Sequence, residues 1–156
     1  MKEMLTVFTP TFNRAECLKK GYEALCRQTC KEFVWLVVDD GSTDQTRLLV
    51  EQWSRQEKGF EVRYIYKENG GLHTGYNVAI ANIDTELSVC IDSDDYMPDD
   101  AVEKILTFWK KEGSDKYAGI AALDAFEDGT IIGDPFPKQK SINILDVSLG
   151  KYHFKN

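Results

Sequence analysis

The sequence is poor in histidine and has no long apolar stretch. Its 156 residues contain only two histidines, and none of the four cysteines (Cys17, Cys26, Cys30 and Cys90) forms a C-x-x-C pair, which argues against a zinc site. Apolar runs such as residues 33–38 are too short to cross a bilayer, and the N-terminus lacks the basic and apolar regions of a signal peptide. We therefore expect a cytoplasmic protein with reduced thiols, and peripheral attachment at the inner face of the membrane is the alternative.

Positive charge is scarce as well. The formal net charge is −7, which makes a nucleic-acid backbone a poor partner. Residues 68–103 contain no Lys or Arg but nine carboxylates: Glu68, Asp84, Glu86, Asp92, Asp94, Asp95, Asp99, Asp100 and Glu103. Carboxylates this dense repel one another unless a cation is present, and Mg²⁺ or Mn²⁺ is the kind of cation that takes such ligands while keeping positions for phosphate. With 42% hydrophobic residues, the chain is otherwise typical of one globular domain.

Short apolar runs alternate with longer amphipathic segments along the chain. This alternation predicts an α/β fold with a mostly parallel sheet and helices on both faces. The predicted strands are residues 5–8, 33–38, 62–66, 87–91 and 119–123, the predicted helices are residues 16–26, 43–55, 73–83 and 98–111, and a hairpin turn is predicted at Asp128 and Gly129.

Each of the first four predicted strands is followed by a loop rich in Asp, Asn, Gly or Pro. The four loops are residues 9–14, 39–44, 68–75 and 92–96. In a parallel sheet, these loops share the carboxyl edge, where such folds bind ligands. Helix capping explains many of these residues, but it does not explain three carboxylates among residues 92–95.

Asp92 and Asp94 form a D-x-D motif directly after an apolar strand. Residues i and i+2 of an extended segment point the same way, so the two carboxylates can address one divalent ion. A solvated acidic loop is the alternative interpretation. The spacing of Gly70 and Gly75 matches a P-loop, but Tyr76 and the residue after it replace the required Lys and Ser/Thr. The strand with its D-x-D also resembles haloacid-dehalogenase phosphatases, which remain an enzyme alternative.

Residues after the first two strands suggest a slot for a flat base. Pro10 and Phe12 follow the first strand, and Asp40 follows the second, where its carboxylate can accept an N–H from a pyrimidine ring. Phe12 is also explained as a turn or core residue. His73 is either a donor to a phosphate or a surface residue at a helix start, and the sequence does not separate the two.

Four segments together resemble glycosyltransferase family 2, which has the GT-A fold, a three-layer α/β/α sandwich. They are VFTPTFNR at residues 7–14, VVDDGSTDQT at residues 37–46, ENGG at residues 68–71 and IDSDDY at residues 91–96. The resemblance covers about residues 4–125. It implies transfer of a sugar from a nucleotide-sugar donor, usually linked to uridine diphosphate (UDP), to a hydroxyl of a glycan or a lipid-linked acceptor, with Mg²⁺ or Mn²⁺ at the D-x-D.

The resemblance also implies roles by position. Pro10 and Phe12 line the base, Asp40 reads the uracil with Asp39 beside it, and residues 70–77 lie near the diphosphate and the sugar. The implied substrate-binding residues are Pro10, Phe12, Asn13, Asp39, Asp40, Gly70, Gly71, His73, Asn77, Asp92 and Ser93, and the implied metal ligands are Asp92, Asp94 and Asp95.

Two departures from the family pattern stand out. Family members often carry Arg or Lys before the residue that corresponds to Asn77, where this chain has Tyr76. The acceptor side of the family, with its catalytic base, lies beyond the region of resemblance, so no catalytic residue is assigned. We therefore expect residues 1–156 to be a single GT-A-like domain without the acceptor-side part. A non-catalytic nucleotide-sugar-binding module is the competing class.

Overall fold

The computed structural model describes residues 4–133 and 141–143. The chain divides into two compact units, Met1–Ala118 and Gly119–Asn156, which are described separately below. Whether the whole chain behaves as a single domain stays a prediction. Among the described residues, no helix combines the length and the apolar composition needed to cross a membrane.

The first unit alternates strands and helices, as predicted. Its strands are β1 (Leu5–Thr11), β2 (Phe33–Asp39), β3 (Glu61–Tyr66) and β4 (Leu87–Cys90), and its helices are α1 (Ala15–Arg27), α2 (Thr46–Ser54), α3 (Leu72–Ala81) and α4 (Ala101–Glu112). The strands form one sheet in the order β3-β2-β1-β4, and every pairing is parallel. The α/β class and the parallel sheet are therefore confirmed.

The sheet is covered on both faces, because β1 and β2 are buried along their whole length. One face packs Val7, Trp35 and Val37 against apolar residues of α1, α2 and α4. The opposite face packs Leu36 and Val38, among others, against α3. This division follows the two-residue period of a strand. The two helix layers therefore pack against alternate residues of the same apolar strands.

Strand β1 is longer than predicted because it continues through Pro10. Proline cannot donate to a ladder and is normally confined to strand edges. Here the amide of Ile91 donates to the carbonyl of Phe8, whereas the amide of Asp40 donates to the carbonyl of Thr11, so alternate residues of β1 face β4 and β2. Pro10 therefore faces the β4 side, where strand pairing has already ended at Phe8.

The second unit corrects one prediction. Residues 119–123 were expected to form a strand, but the structure gives them no regular secondary structure. An apolar run needs a neighbouring strand to become one, and no described residue pairs with it. The turn predicted at Asp128 and Gly129 is formed, with Gly129 at φ 84°, and it lies inside an isolated antiparallel bridge between Ala125 and Ile131.

Helix α4 begins three residues later than predicted, and the buried side chain of Gln28 holds the turn before it. The amide nitrogen of Gln28 donates to the carbonyl of Pro98 at 2.6 Å, and its oxygen accepts from the backbone amide of Val102 at 3.0 Å. This contact joins the end of α1 to the start of α4, and so fixes the far end of the loop that carries Asp92 and Asp94.

Replacing Gln28 by Leu is expected to lower the free energy of unfolding by about 1–3 kcal/mol, because it leaves the buried backbone amide of Val102 without its side-chain acceptor. Urea unfolding measures the change. The matched control is Gln52→Leu at an exposed position of α2, which should change stability little. Equal effects of the two substitutions would contradict the bridging role of Gln28.

Candidate functional site

Three side chains of different chemistry follow three neighbouring strands. Thr11, Asp39 and Tyr66 are in register at the ends of β1, β2 and β3, so Phe12, Asp40 and Lys67 come next, side by side. Backbone bonds continue the sheet to this row, with Asp40 N to Thr11 O at 2.8 Å and Lys67 N to Asp39 O at 2.9 Å. The carboxyl edge of the sheet therefore carries an aromatic ring, a carboxylate and an ammonium in sequence.

Asp40 is nearly inaccessible, with 5% of its surface exposed. One oxygen, Oδ1, accepts from Lys67 Nζ and from the amide of Gly70 at 3.0 Å, while Oδ2 accepts from the amide of Gly71 at 2.8 Å. Burial alone would raise the pKa of this carboxyl, but the Lys67 ammonium and the two amides together hold it below its usual value. Asp40 is therefore an ionised acceptor at the edge of the sheet.

Asp39 is fully buried, and its carboxylate is occupied by the protein. Its Oδ1 accepts from the amide of Ser42 at 2.8 Å, and its Oδ2 accepts from the hydroxyl of Tyr64 at 2.6 Å. Burial and the negative charge of Asp39 raise the pKa of Tyr64, which keeps the phenol a donor. The contacts of Asp39 fix the loop after β2, and any contribution to donor binding stays a prediction.

Asn13 joins the loop after β1 to the loop after β2. Its φ is 53°, and its side-chain oxygen accepts from the amides of Thr43 at 2.8 Å and Asp44 at 3.3 Å. In the opposite direction, Asp44 Oδ2 accepts from the amide of Ala15 at 3.1 Å. The Oδ1 atom of Asp44 accepts from the amide of Thr46 at 2.9 Å, and α2 begins at that residue instead of the predicted residue 43. A substrate-binding role for Asn13 stays a prediction.

The loop between β3 and α3 is shaped by glycines in tight surroundings. Gly71 caps α3 with a φ of 89°, a conformation that favours glycine. A Cβ on Gly70 would lie 2.9 Å from Thr74 Oγ1, and a Cβ on the buried Gly75 would lie 3.4 Å from Pro10. These close approaches seat α3 on β1. His73 and Asn77 are exposed on the first turns of this helix, and their roles stay predictions.

The acidic loop, residues 92–96, follows β4 at the same edge of the sheet. Within the part of the chain that the structure describes, the carboxylates of Asp92 and Asp94 have no hydrogen-bond or ion-pair partner, and both residues are exposed. Ser93 is half-buried beside them, and Lys20 of α1 lies over the ring of Tyr96 at 4.4 Å from its centroid. The loop therefore presents two unsatisfied carboxylates to solvent.

Five other carboxylates of the acidic stretch have partners within the chain, and four of these partners are distant in sequence. The contacts are Arg63 to Asp84 at 2.9 Å, Trp109 to Glu86 at 2.6 Å, Arg27 to Asp99 at 3.1 Å, Lys104 to Asp100 at 2.8 Å and Thr29 to Glu103 at 2.7 Å. Sequence spacing reveals the i,i+4 pair of Lys104 and Asp100 but not the other four, whose partners are more than 20 residues away. The contrast sets Asp92 and Asp94 apart from the acids whose contacts are structural.

Helix α3 also reaches the strand that leads into the acidic loop. The Cys90 thiol lies 3.2 Å from the hydroxyl of Tyr76, and the ring of Tyr76 packs edge-on against Phe8 at 5.6 Å. The contact with Cys90, together with burial, raises the pKa of Tyr76 to about 12. Tyr76, which replaces the basic residue expected before Asn77, is thus a neutral packing residue between α3 and β4.

The described residues hold no group of three or more His, Cys, Asp or Glu that could cage a metal alone. The predicted trio of Asp92, Asp94 and Asp95 therefore does not form a closed protein site. Two unpartnered carboxylates do fit a Mg²⁺ or Mn²⁺ ion that takes its remaining ligands from phosphate and water, as Mg²⁺ usually does. The donor set is compatible with the metal, and the ligand roles stay predictions.

Sequence reasoning missed Lys67, Asn69 and Thr74. Lys67 Nζ and Thr74 Oγ1 both reach Asp40 Oδ1, the latter at 3.4 Å, and the Asn69 amide donates to the Asp40 carbonyl at 2.9 Å. A lysine directly after a strand carries no local signal of this pairing. The only available hint was that Lys67 is the last cation before the stretch without Lys or Arg.

The fold and this edge define an α/β domain with a candidate ligand site at the carboxyl ends of its parallel strands. A family model, Glycosyl transferase family 2, matches residues 6–132. The chain therefore belongs to glycosyltransferase family 2, and this decides against the haloacid-dehalogenase alternative.

Curated relatives agree with the family. Glycosyltransferase GlyA of Streptococcus pneumoniae is 33% identical over 109 residues, which cover 70% of this chain and 15% of that protein. An uncharacterized glycosyltransferase of Rickettsia typhi is 28% identical over 152 residues, which cover 94% of this chain and 45% of the relative. The chain thus spans less than half the length of these relatives.

Solved structures confirm the GT-A fold. A crystal structure of Staphylococcus aureus TarS residues 1–349 in complex with UDP is 29% identical with a TM-score of 0.66, covering 74% of this chain and 34% of that one. The same protein has been solved with UDP-GlcNAc at 30% identity and a TM-score of 0.66, covering 74% of this chain and 33% of that one. A Pyrobaculum calidifontis mannosyltransferase in complex with GDP-Man and Mn²⁺, at 22% identity and a TM-score of 0.64 over 72% of this chain and 34% of that one, supports the fold alone.

Replacing Asp40 by Asn is expected to lower the free energy of unfolding near neutral pH by about 1–3 kcal/mol, because an amide loses the charge-assisted bonds and opposes one N–H donor with another. The folded-state pKa of Asp40 is depressed. Its contribution is therefore present above the unfolded pKa of about 3.9 and is lost as pH falls through the folded value.

Urea unfolding at about pH 7 and about pH 3 measures the free energy of unfolding of both proteins. The difference in this free energy between wild type and Asp40→Asn should shrink on acidification. Glu57→Gln, at an exposed residue, is the control and should show little difference at either pH. A difference that stays constant with pH would mean that the charge of Asp40 does not stabilise the loop.

Proposed function

We propose that this chain is the donor-binding part of a metal-dependent glycosyltransferase that uses a UDP-linked sugar. The observation that carries the proposal is that the edge has an ionised Asp40 at one end and, at the other, Asp92 and Asp94, whose carboxylates have no partner among the described residues. These residues follow β2 and β4, which flank β1, so they are about two strand spacings or roughly 10 Å apart. A nucleoside diphosphate can bridge that span.

The base end would bind uracil. Pro10 forms the floor at the end of β1, Phe12 is 46% exposed and offers a flat surface, and Asp40 supplies an acceptor for the ring N–H. The structures of TarS with UDP and with UDP-GlcNAc support a uridine donor, since they are about as similar in sequence to this chain as its curated relatives are.

The diphosphate end would hold Mg²⁺ or Mn²⁺ through Asp92 and Asp94. When bound, the ion neutralises the diphosphate and stabilises it as a leaving group. The chain's own contribution is to keep two carboxylates free of internal partners while Gly71 and the start of α3 close the neighbouring loop. Asp95, the third predicted ligand, follows directly on the same loop.

A non-catalytic nucleotide-sugar-binding module is the second candidate. It is favoured by the absence, among the described residues, of a carboxylate that can be assigned as the base for an acceptor hydroxyl. A glycan or lipid-linked acceptor belongs to the first candidate only. Sugar transfer or donor hydrolysis by this 156-residue chain would favour the enzyme, whereas binding without turnover would favour the module.

Wild-type protein is expected to bind UDP more tightly than GDP, because the slot beside Asp40 is built for one ring with an N–H donor. Titration calorimetry with both nucleotides in the presence of Mn²⁺ measures the preference. Equal affinities would refute the base assignment while leaving the diphosphate site open.

Asp94→Asn is expected to weaken UDP binding by about tenfold or more in Mn²⁺, the effect of losing a charged contact of roughly 1.5–3 kcal/mol, and to change little in EDTA. The control is Asp115→Asn at an exposed position beyond α4, which should bind as wild type does. Thermal melts verify that both variants fold. Wild-type binding that is equally tight in EDTA would show that no metal bridges the diphosphate.

A further inference from the structure

Lys67 lies at the base end of the edge, and its side chain is only 19% exposed. Its ammonium donates to Asp40 Oδ1 and to the carbonyl of Glu68. A Cβ on Gly70 would approach this ammonium to 3.1 Å, so the lysine occupies the space under the glycine loop. A partly buried ammonium needs such acceptors, and here the charged one is Asp40.

The two oxygens of Asp40 are used unequally. Among the described residues, Oδ1 accepts from Lys67 Nζ and from the amide of Gly70, with Thr74 Oγ1 at 3.4 Å, whereas Oδ2 accepts from the amide of Gly71 alone. Each carboxylate oxygen offers about two acceptor positions. Oδ1 is therefore saturated by the protein, and Oδ2 keeps one acceptor position.

Building on the proposed function, we infer that Lys67 sets the base specificity of the site by keeping Asp40 an acceptor only, so that uracil is accepted and cytosine is refused. Uracil presents a ring N3–H, which needs an acceptor. Cytosine presents a bare N3, which needs a donor and meets only another lone pair on an ionised carboxylate. Uracil therefore forms a hydrogen bond with Asp40, whereas N3 of cytosine is repelled by it.

The effect of removing the lysine follows from the burial of Asp40. A buried carboxylate that loses its counter-charge takes up a proton more readily. A protonated Asp40 has an O–H, which can donate to N3 of cytosine and no longer requires an N–H from the base. Loss of Lys67 should therefore bring the affinities for uracil and cytosine nucleotides closer together, and should not weaken both by the same factor.

The geometry separates this role from a phosphate contact. Lys67 follows β3, which is the outer strand on the side of the sheet away from β4 and the acidic loop. Its ammonium is already engaged by Asp40 and the Glu68 carbonyl. It is therefore a positioning residue that acts through Asp40. Removing it should change the binding of nucleosides that carry no phosphate.

The test compares UDP with CDP by titration calorimetry, and uridine with cytidine by ligand-observed NMR, on wild type and three variants. Wild type should prefer UDP over CDP by about tenfold or more. Lys67→Met should bring that ratio close to one, and the uridine-to-cytidine ratio should fall with it. Lys67→Arg keeps the charge and should restore the preference.

Lys58→Met is the matched control. Lys58 is also a half-buried lysine, but it donates to the carbonyls of Trp53 and Gln56 and to no carboxylate that the structure shows. Its loss should leave the UDP-to-CDP ratio unchanged. Thermal melts accompany each variant, and if Lys67→Met does not fold, Lys67→Gln takes its place, since a neutral amide can still donate to Asp40 but supplies no charge.

A Lys67→Met or Lys67→Gln protein that keeps the wild-type ratio would overturn the inference alone. Equal weakening of UDP and CDP with unchanged nucleoside binding would also overturn it and would assign the ammonium to the diphosphate. A wild type that binds UDP and CDP equally but prefers UDP over GDP would also overturn the inference and leave the proposed function standing, whereas a wild type that does not bind UDP would remove the proposed function. The two failures are therefore distinguishable.

Discussion

The buried charge of Asp40 has to be satisfied, and much of the edge is arranged around that requirement. A desolvated carboxylate costs free energy unless donors replace the lost water. The donors come from a loop about thirty residues further along, as the Lys67 ammonium and the amides of Gly70 and Gly71. Because Gly71 also caps α3, the position of one carboxylate fixes where that helix begins and how it lies on β1.

The carboxylates of the edge fall into two kinds by their partners. The carboxylate oxygens of Asp39 and Asp44 accept hydrogen bonds from backbone amides and a phenol, and so hold the loops after β1 and β2 in place. The carboxylates of Asp92 and Asp94 accept no hydrogen bond from the described residues. A satisfied carboxylate stabilises the fold, whereas an unsatisfied pair in water is held apart only by the loop and gains most when a cation arrives.

Local patterns predicted what depends on local physics. The two-residue period and the turn residues located four parallel strands and their loops, and the strand–helix alternation predicted the layers. Long-range events escaped this reasoning. Strand β1 runs through Pro10 because pairing with β4 has stopped there, α2 begins after a loop held by Asn13 and Asp44, and residues 119–123 have no partner strand among the described residues. Lys67 was missed since its acceptor, Asp40, is 27 residues away.

The two ends of the edge differ in how complete they are before a ligand arrives. The proposed base end is preorganised, since Asp40 already has its donors and keeps one acceptor position, so base binding there would require little rearrangement. The acidic loop lacks its counter-charge. If a cation and a diphosphate complete that end together, each must raise the affinity of the other by the same factor, because linkage is reciprocal. In the proposed function, a preorganised base site joined to an incomplete metal site would make nucleotide binding the step that completes the metal site.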